Sequence, residues 1–209
     1  MRQFTVFSKL AWIRLQLNVV LLCSNSARAK AGALRLVQAW LQLAPSDSTA
    51  HLYHGCLLRQ AGNLRAAVAA FIRSAELSNQ PDSAWFNAGF TLEELGESAA
   101  ALRYFERAVQ ANPLQDRAWL GRGQCLVQLG RLQEACAAFQ KTTELQPFAT
   151  LAWQLWARTE ITRGQADAAK QVIDQLARFD PRAAHALRTE FGASSLVRFL
   201  EPERQVQCS

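Results

Sequence analysis

The chain repeats itself every 34 residues. "AWFNAGFTLEELGESAAALRYFERAVQANP", Ala84 to Pro113, is followed by "AWLGRGQCLVQLGRLQEACAAFQKTTELQP", Ala118 to Pro147, with tryptophan, glycine, alanine, phenylalanine and proline in the same places. A self-similar period of that length means that each copy makes the same contacts with the next, which favours a stack of repeated units over one closed core. The register runs from Arg14 to Ala183, five units long. Alanine recurs at Ala33, Ala67, Ala101, Ala135 and Ala169, and four residues after each stands Val37, Phe71, Phe105, Phe139 or Ile173. Twelve residues before the last four alanines lies a small residue, at Gly55, Gly89, Gly123 and Ala157. A turn glycine follows at Gly62, Gly96, Gly130 and Gly164, and proline closes four units, at Pro45, Pro113, Pro147 and Pro181, with Asn79 in the other.

Apolar spacing of three and four over such stretches predicts helices, and a glycine after the first helix can adopt the left-handed backbone that ends it. Each unit is therefore two helices and a turn. In the unit from Asp82, Trp85, Ala88, Gly89 and Leu92 share one face of the first helix, and Ala101, Leu102, Phe105 and Ala108 one face of the second. Small residues let the helices approach, large rings fill the remaining space, and proline stops the second helix. The expected fold is all-α: a right-handed solenoid of about five 34-residue helix-turn-helix repeats, 14–47, 48–81, 82–115, 116–149 and 150–183. Residues 1–13 precede it. A capping helix over 184–200, with Leu187, Phe191 and Leu196 covering the last unit, and a loose tail at 201–209 are expected to follow.

The W-x3-G, A-x3-F and P pattern resembles the tetratricopeptide repeat family, most closely in the units from Ser48, Asp82, Asp116 and Thr150. The unit from Arg14 departs, with Leu21 and Arg28 where glycines stand elsewhere, and His51 replaces the usual tryptophan. The resemblance implies that the first helix of every unit lines a concave groove that holds a partner peptide or helix. On this sequence those positions are Leu52, Tyr53 and Cys56; Phe86, Asn87 and Phe90; Arg117, Leu120 and Gln124; and Gln154, Leu155 and Arg158. The competing expectation for the two rings is that they pack within the protein. The resemblance also raises the clamp with which co-chaperones of this family hold the C-terminal carboxylate of a heat-shock chaperone. Its five places fall on Leu52, Cys56, Asn87, Arg117 and Gly121, and only Asn87 and Arg117 suit it, so that clamp is not expected.

Charge adds a second division. Residues 1–47 carry six Lys/Arg against one acid, Asp47, giving +5 of the total +6 and leaving the other 162 residues at +1. A basic N-terminal segment on a nearly neutral body is not the cationic face of a nucleic-acid binder. The same segment, with "LQLNVVLLC" and the A-x-A of Ala27 to Ala29, imitates a secretory signal. Gln16 and Asn18 interrupt the apolar run, and the register places Leu17, Val20 and Leu21 at packing positions, so a structural helix is expected, one that could also touch a membrane. A cytoplasmic adaptor, whose Ala- and Gln-rich composition suits a bacterial protein, is the first expectation, and an exported or membrane-associated component the alternative.

No cofactor, metal or small-molecule substrate is expected. The five cysteines, Cys23, Cys56, Cys125, Cys136 and Cys208, follow no CxxC or disulfide pattern. His51 and His54 lie three apart near Cys56, but the repeat supplies no third ligand. Glu93, Glu94 and Glu97 read as a solvated helix end rather than an acid–base pair. A catalytic role is not expected.

Overall fold

The computed structural model describes residues 9–17 and 27–200. Their secondary structure is helical throughout: α1 (residues 9–17), α2 (Ala27–Leu43), α3 (Ser48–Gln60), α4 (Leu64–Leu77), α5 (Asp82–Glu94), α6 (Ser98–Ala111), α7 (Asp116–Gln128), α8 (Leu132–Leu145), α9 (Thr150–Thr162), α10 (Ala166–Leu176) and α11 (Pro181–Leu200). Two compact units, 1–121 and 122–209, divide the chain within α7. The sequence expectations for Val20, Leu21, Cys23, Cys208, the side chain of Leu196 and the tail at 201–209 lie outside the described residues.

In residues 1–121, the pairs α3/α4 and α5/α6 are built on the predicted crossing. Ala33, Ala67 and Ala101 are fully buried, as are Phe71 and Phe105. Glycine is needed opposite these rings, because a Cβ on Gly55 would lie 2.6 Å from the Phe71 ring and one on Gly89 would lie 3.1 Å from Phe105. Between the helices of each pair, Gly62 and Gly96 take φ of 81° and 77°, a backbone that side chains disfavour.

The first pair, α1/α2, is closed differently. Ile13 and Leu17 join Ala33, Val37, Trp40, Ala50 and Leu57 in one buried cluster. Asp47 binds three helices together. Its Oδ1 accepts the Thr49 and Ala50 backbone N–H groups and so caps α3, while Oδ2 accepts Trp40 Nε1–H at 3.0 Å and Arg14 at 2.8 Å. The Arg14 guanidinium also lies 4.5 Å from the centre of the Trp40 ring. Helical structure thus begins ahead of position 14, since α1 already includes Lys9 and Leu10. Removing residues 1–29 would take Ile13 and Leu17 off Val37 and Trp40.

In residues 122–209, Gly123 repeats the same arrangement, its Cβ position 2.5 Å from the Phe139 ring. Farther on, Ala157, Val172, Ile173, Leu176, Ala183, Ala184 and Leu187 form the core, with Trp153, Trp156 and Phe179 packed against it. The terminal segment is one helix and starts at Pro181 rather than 184. Proline suits a first helical position, and Asp180 caps the helix by accepting the Ala183 N–H at 3.0 Å and the Thr150 hydroxyl at 3.0 Å.

Candidate protein-binding surface

Within residues 1–121, the first helices of three successive repeats, α3, α5 and the start of α7, are joined by a row of side chains. The Arg59 guanidinium of α3 sits 5.1 Å from the Phe90 ring centre, Phe90 stacks on Phe86 at 6.1 Å, and Arg117 of α7 covers Phe86 at 5.2 Å. The two rings stand one turn apart because they are four residues apart on α5. Phe86 also leans on buried Phe105 at 5.9 Å, so it is held from below, whereas Phe90 keeps 37% of its surface exposed. Both expectations for the rings therefore meet here: Phe86 belongs partly to the interior and Phe90 to the surface. Arg59 is additionally fixed by Glu94 at 2.9 Å.

The remaining predicted positions fall as follows. Leu52 and Cys56 are half-buried and pack on the Ala67, Phe71 and Ala88 cluster. Burial pushes the Cys56 thiol up, against the opposing pull of Arg59, so it is a poor nucleophile at neutral pH. Tyr53 lies 6.1 Å from Trp40 and lines a small cavity with Arg14, Leu17 and Thr49, which places it toward α1 rather than the Phe86 row. Asn87 and Leu120 are half-buried and Arg117 is exposed. Gly121 is buried, and a Cβ there would lie 2.5 Å from the Phe105 ring, which occupies the space a side chain would take. A basic residue of a carboxylate clamp has no room there. In residues 122–209, Gln124, Gln154 and Leu155 are half-buried, and Arg158 is exposed but engaged with Glu190 of α11 at 3.0 Å.

The histidines act as structural groups. His51 Nε2 meets the Pro45 carbonyl at 2.9 Å, six residues back, just as Trp119 Nε1–H donates to Pro113 O at 2.9 Å and Trp153 Nε1–H to Pro147 O at 2.8 Å. The imidazole takes over the hydrogen bond of the indole. His54 is held below its ordinary pKa by burial and then by His51. Among the described residues no group of three His, Cys, Asp or Glu could hold a metal ion. The acidic run is not a simple solvated face: Glu94 pairs with Arg59, Glu97 with Arg65 at 2.7 Å, and burial followed by Glu94 raises the Glu93 pKa.

Two features escaped the sequence reading. Arg59 follows Cys56 by three residues, so helical spacing alone could have placed it beside the groove positions. The second is a buried polar cluster around Glu160, 5% exposed, which accepts Trp156 Nε1–H at 3.2 Å and Arg163 at 2.7 Å. Burial, and then this carboxylate, push the Cys136 thiol up to about 12.

Helix pairs of 34-residue period, crossing at glycine or alanine, define a helical-repeat scaffold. Residues 86–150 match the family model described as Tetratricopeptide repeat. No curated protein matches the chain. Among solved structures, the chain is similar to YrrB, described as a TPR protein with an unusual peptide-binding site, at 24% identity and a TM-score of 0.68, covering 82% of this chain and 90% of that one. It is also similar to MamA from Desulfovibrio magneticus RS-1, residues 41 to the end, at 20% identity and a TM-score of 0.72, covering 83% and 96%. Likeness at these identities is likeness of fold.

Proposed function

We propose that the chain is a binding adaptor, assembly factor or accessory subunit that holds a peptide or helix of another protein against α3, α5 and α7. The observation that carries this reading is the Arg59–Phe90–Phe86–Arg117 row, in which two stacked rings end in a guanidinium on either side. An apolar side chain of the partner would cover Phe90 and the edge of Phe86. A carboxylate next to it would meet Arg117, whose planar guanidinium can donate two parallel hydrogen bonds while still resting on the ring. Asn87 and Leu120 flank this place on the same helices. The partner is thus a segment with an apolar anchor beside an acidic residue, held by a few central contacts. Support for a protein ligand also comes from the fold itself and from YrrB, which is described as having a peptide-binding site. The reading involves no catalytic step.

The test is co-purification from the native organism with tagged wild type, Phe90→Glu and Arg117→Glu, each checked for folding by circular dichroism, with bound proteins identified by mass spectrometry. A partner held by wild type and lost from both folded variants supports the reading. A partner held equally by all three places binding elsewhere and refutes it.

A further inference from the structure

The outward side of α1 has no role in the Arg59–Phe90–Phe86–Arg117 row. Ile13 and Leu17 turn inward, which leaves Trp12 57% exposed and Leu15 63% exposed on the opposite side, three residues apart and so neighbours on the helix surface. Exposed Lys9, three residues before Trp12, borders this apolar strip, and Arg14 lies along its other edge with its charge met by Asp47. Residues 1–46 contain Arg2, Lys9, Arg14, Arg28, Lys30 and Arg35 and no acidic residue at all. An indole and a leucine projecting from a helix in a chain segment of excess positive charge match the chemistry of a negatively charged lipid interface: the tryptophan ring suits the headgroup level, and basic side chains lower the free energy near anionic lipid. No helix among the described residues is long and apolar enough to cross a membrane, so contact would be with the surface. A protein ligand for this strip would need a complementary acidic face of its own; the lipid surface needs only negative charge and an apolar boundary, both of which the strip and its surroundings address.

We propose that α1 is an interfacial anchor that seats Trp12 and Leu15 in an anionic membrane surface, with the positive charge of residues 1–46 drawing the chain to it. The inward face of α1 stays in the core, so docking leaves the repeat scaffold folded. Such an anchor is weak alone, since a single short apolar strip gives reversible binding.

Vesicle flotation of the full chain tests this, using phosphatidylcholine with and without about 30% phosphatidylglycerol to supply the charge of an anionic leaflet. Wild type is expected to float with the anionic vesicles, to stay behind with phosphatidylcholine alone, and to be released by about 0.5 M salt, where screening is strong. Trp12→Ser with Leu15→Ser is expected to lower partitioning at least about tenfold, and Lys9→Glu about fivefold or more, with unchanged circular dichroism. Equal flotation of wild type and the double variant overturns the proposal, as does no flotation of wild type. Sedimentation of the same samples adds the competing occupant: wild type that ignores vesicles but self-associates, with association lost in the double variant, would show that a second copy covers the strip and would also overturn it.

Discussion

The pairs α5/α6 and α9/α10 occupy the same register, yet they solve the same packing problem with different residues. In α5/α6 a phenylalanine, Phe105, lies over Gly89; in α9/α10 the smaller Ile173 shares its cluster with Ala157, one carbon larger than glycine. The sum of the two side chains is what the crossing conserves. The outward sides differ more. On α5 the rings of Phe86 and Phe90 face Arg59 and Arg117, whereas on α9 Arg158 is engaged by Glu190, and Trp156 turns to Glu160. A repeated scaffold fixes where side chains stand and leaves their chemistry free, so one repeat can present a row of rings and guanidinium groups while another carries a polar cluster. That separation can be attacked from the interior outward.

The largest effect is expected at Glu160. Its register equivalents are Leu58, Leu92 and Leu126, so a carboxylate stands where the other repeats place an apolar side chain. Glu160→Ala removes the acceptor of Trp156 and Cys136 and opens a cavity, and should cost about 3 kcal/mol in urea unfolding. Glu160→Leu restores the residue used elsewhere in the array and should lie within about 1 kcal/mol of wild type. If both substitutions cost the same, the cluster rather than the volume is what this repeat requires.

Gly55 and Gly89 come next. Gly55→Ala puts a methyl group 2.6 Å from Phe71 and should lose about 2 kcal/mol, because overpacking exceeds the gain in helix propensity. Gly89→Ala, at 3.1 Å from Phe105, needs a much smaller shift and should stay within about 1 kcal/mol. Reversal of that order in chemical unfolding would mean that the ring positions do not govern the crossing.

These contrasts also mark what the sequence could tell. Ala33, Ala67, Ala101, Ala135 and Ala169 were legible as the close crossing because recurrence at one fixed period leaves a buried position little other meaning, and each is fully buried. The turn glycines were legible for the same reason, and all four have positive φ. The outer surface was only half legible. Helical spacing could set Phe86 beside Phe90, but the stacking of Arg59 on one ring and Arg117 on the other depends on how neighbouring helices face each other. Glu160 was readable in principle, by comparison with Leu58, Leu92 and Leu126. Its partner Arg163, three residues on, was readable by the same spacing, but Cys136 was not, since it comes from a different helix.

A smaller effect, set by pH, separates α11 from the pairs that precede it. Asp180 is held below the ordinary carboxylate pKa, first by the Ala183 N–H and then by the Thr150 hydroxyl. A depressed folded-state pKa contributes stability above the unfolded value and loses it as pH falls through the folded one. The stability advantage of wild type over Asp180→Asn should therefore be full near neutrality and shrink below about pH 4, as urea midpoints of the two proteins would show. An advantage that grows on acidification would show that the cap does not depend on the ionised carboxylate.

The smallest effect is expected from Arg158. Its pair with Glu190 is bidentate, but both side chains are about half exposed, 50% and 48%, so water and salt screen it. Arg158→Ala should change stability by no more than about 0.5 kcal/mol, and a double-mutant cycle with Glu190→Ala should give a coupling of the same order. The result bears on binding as well as stability. A weak pair releases Arg158 to an acidic ligand at little cost, whereas a strong one would hold it on α11 and leave Phe86, Phe90 and Arg117 as the better-supported contacts for a partner.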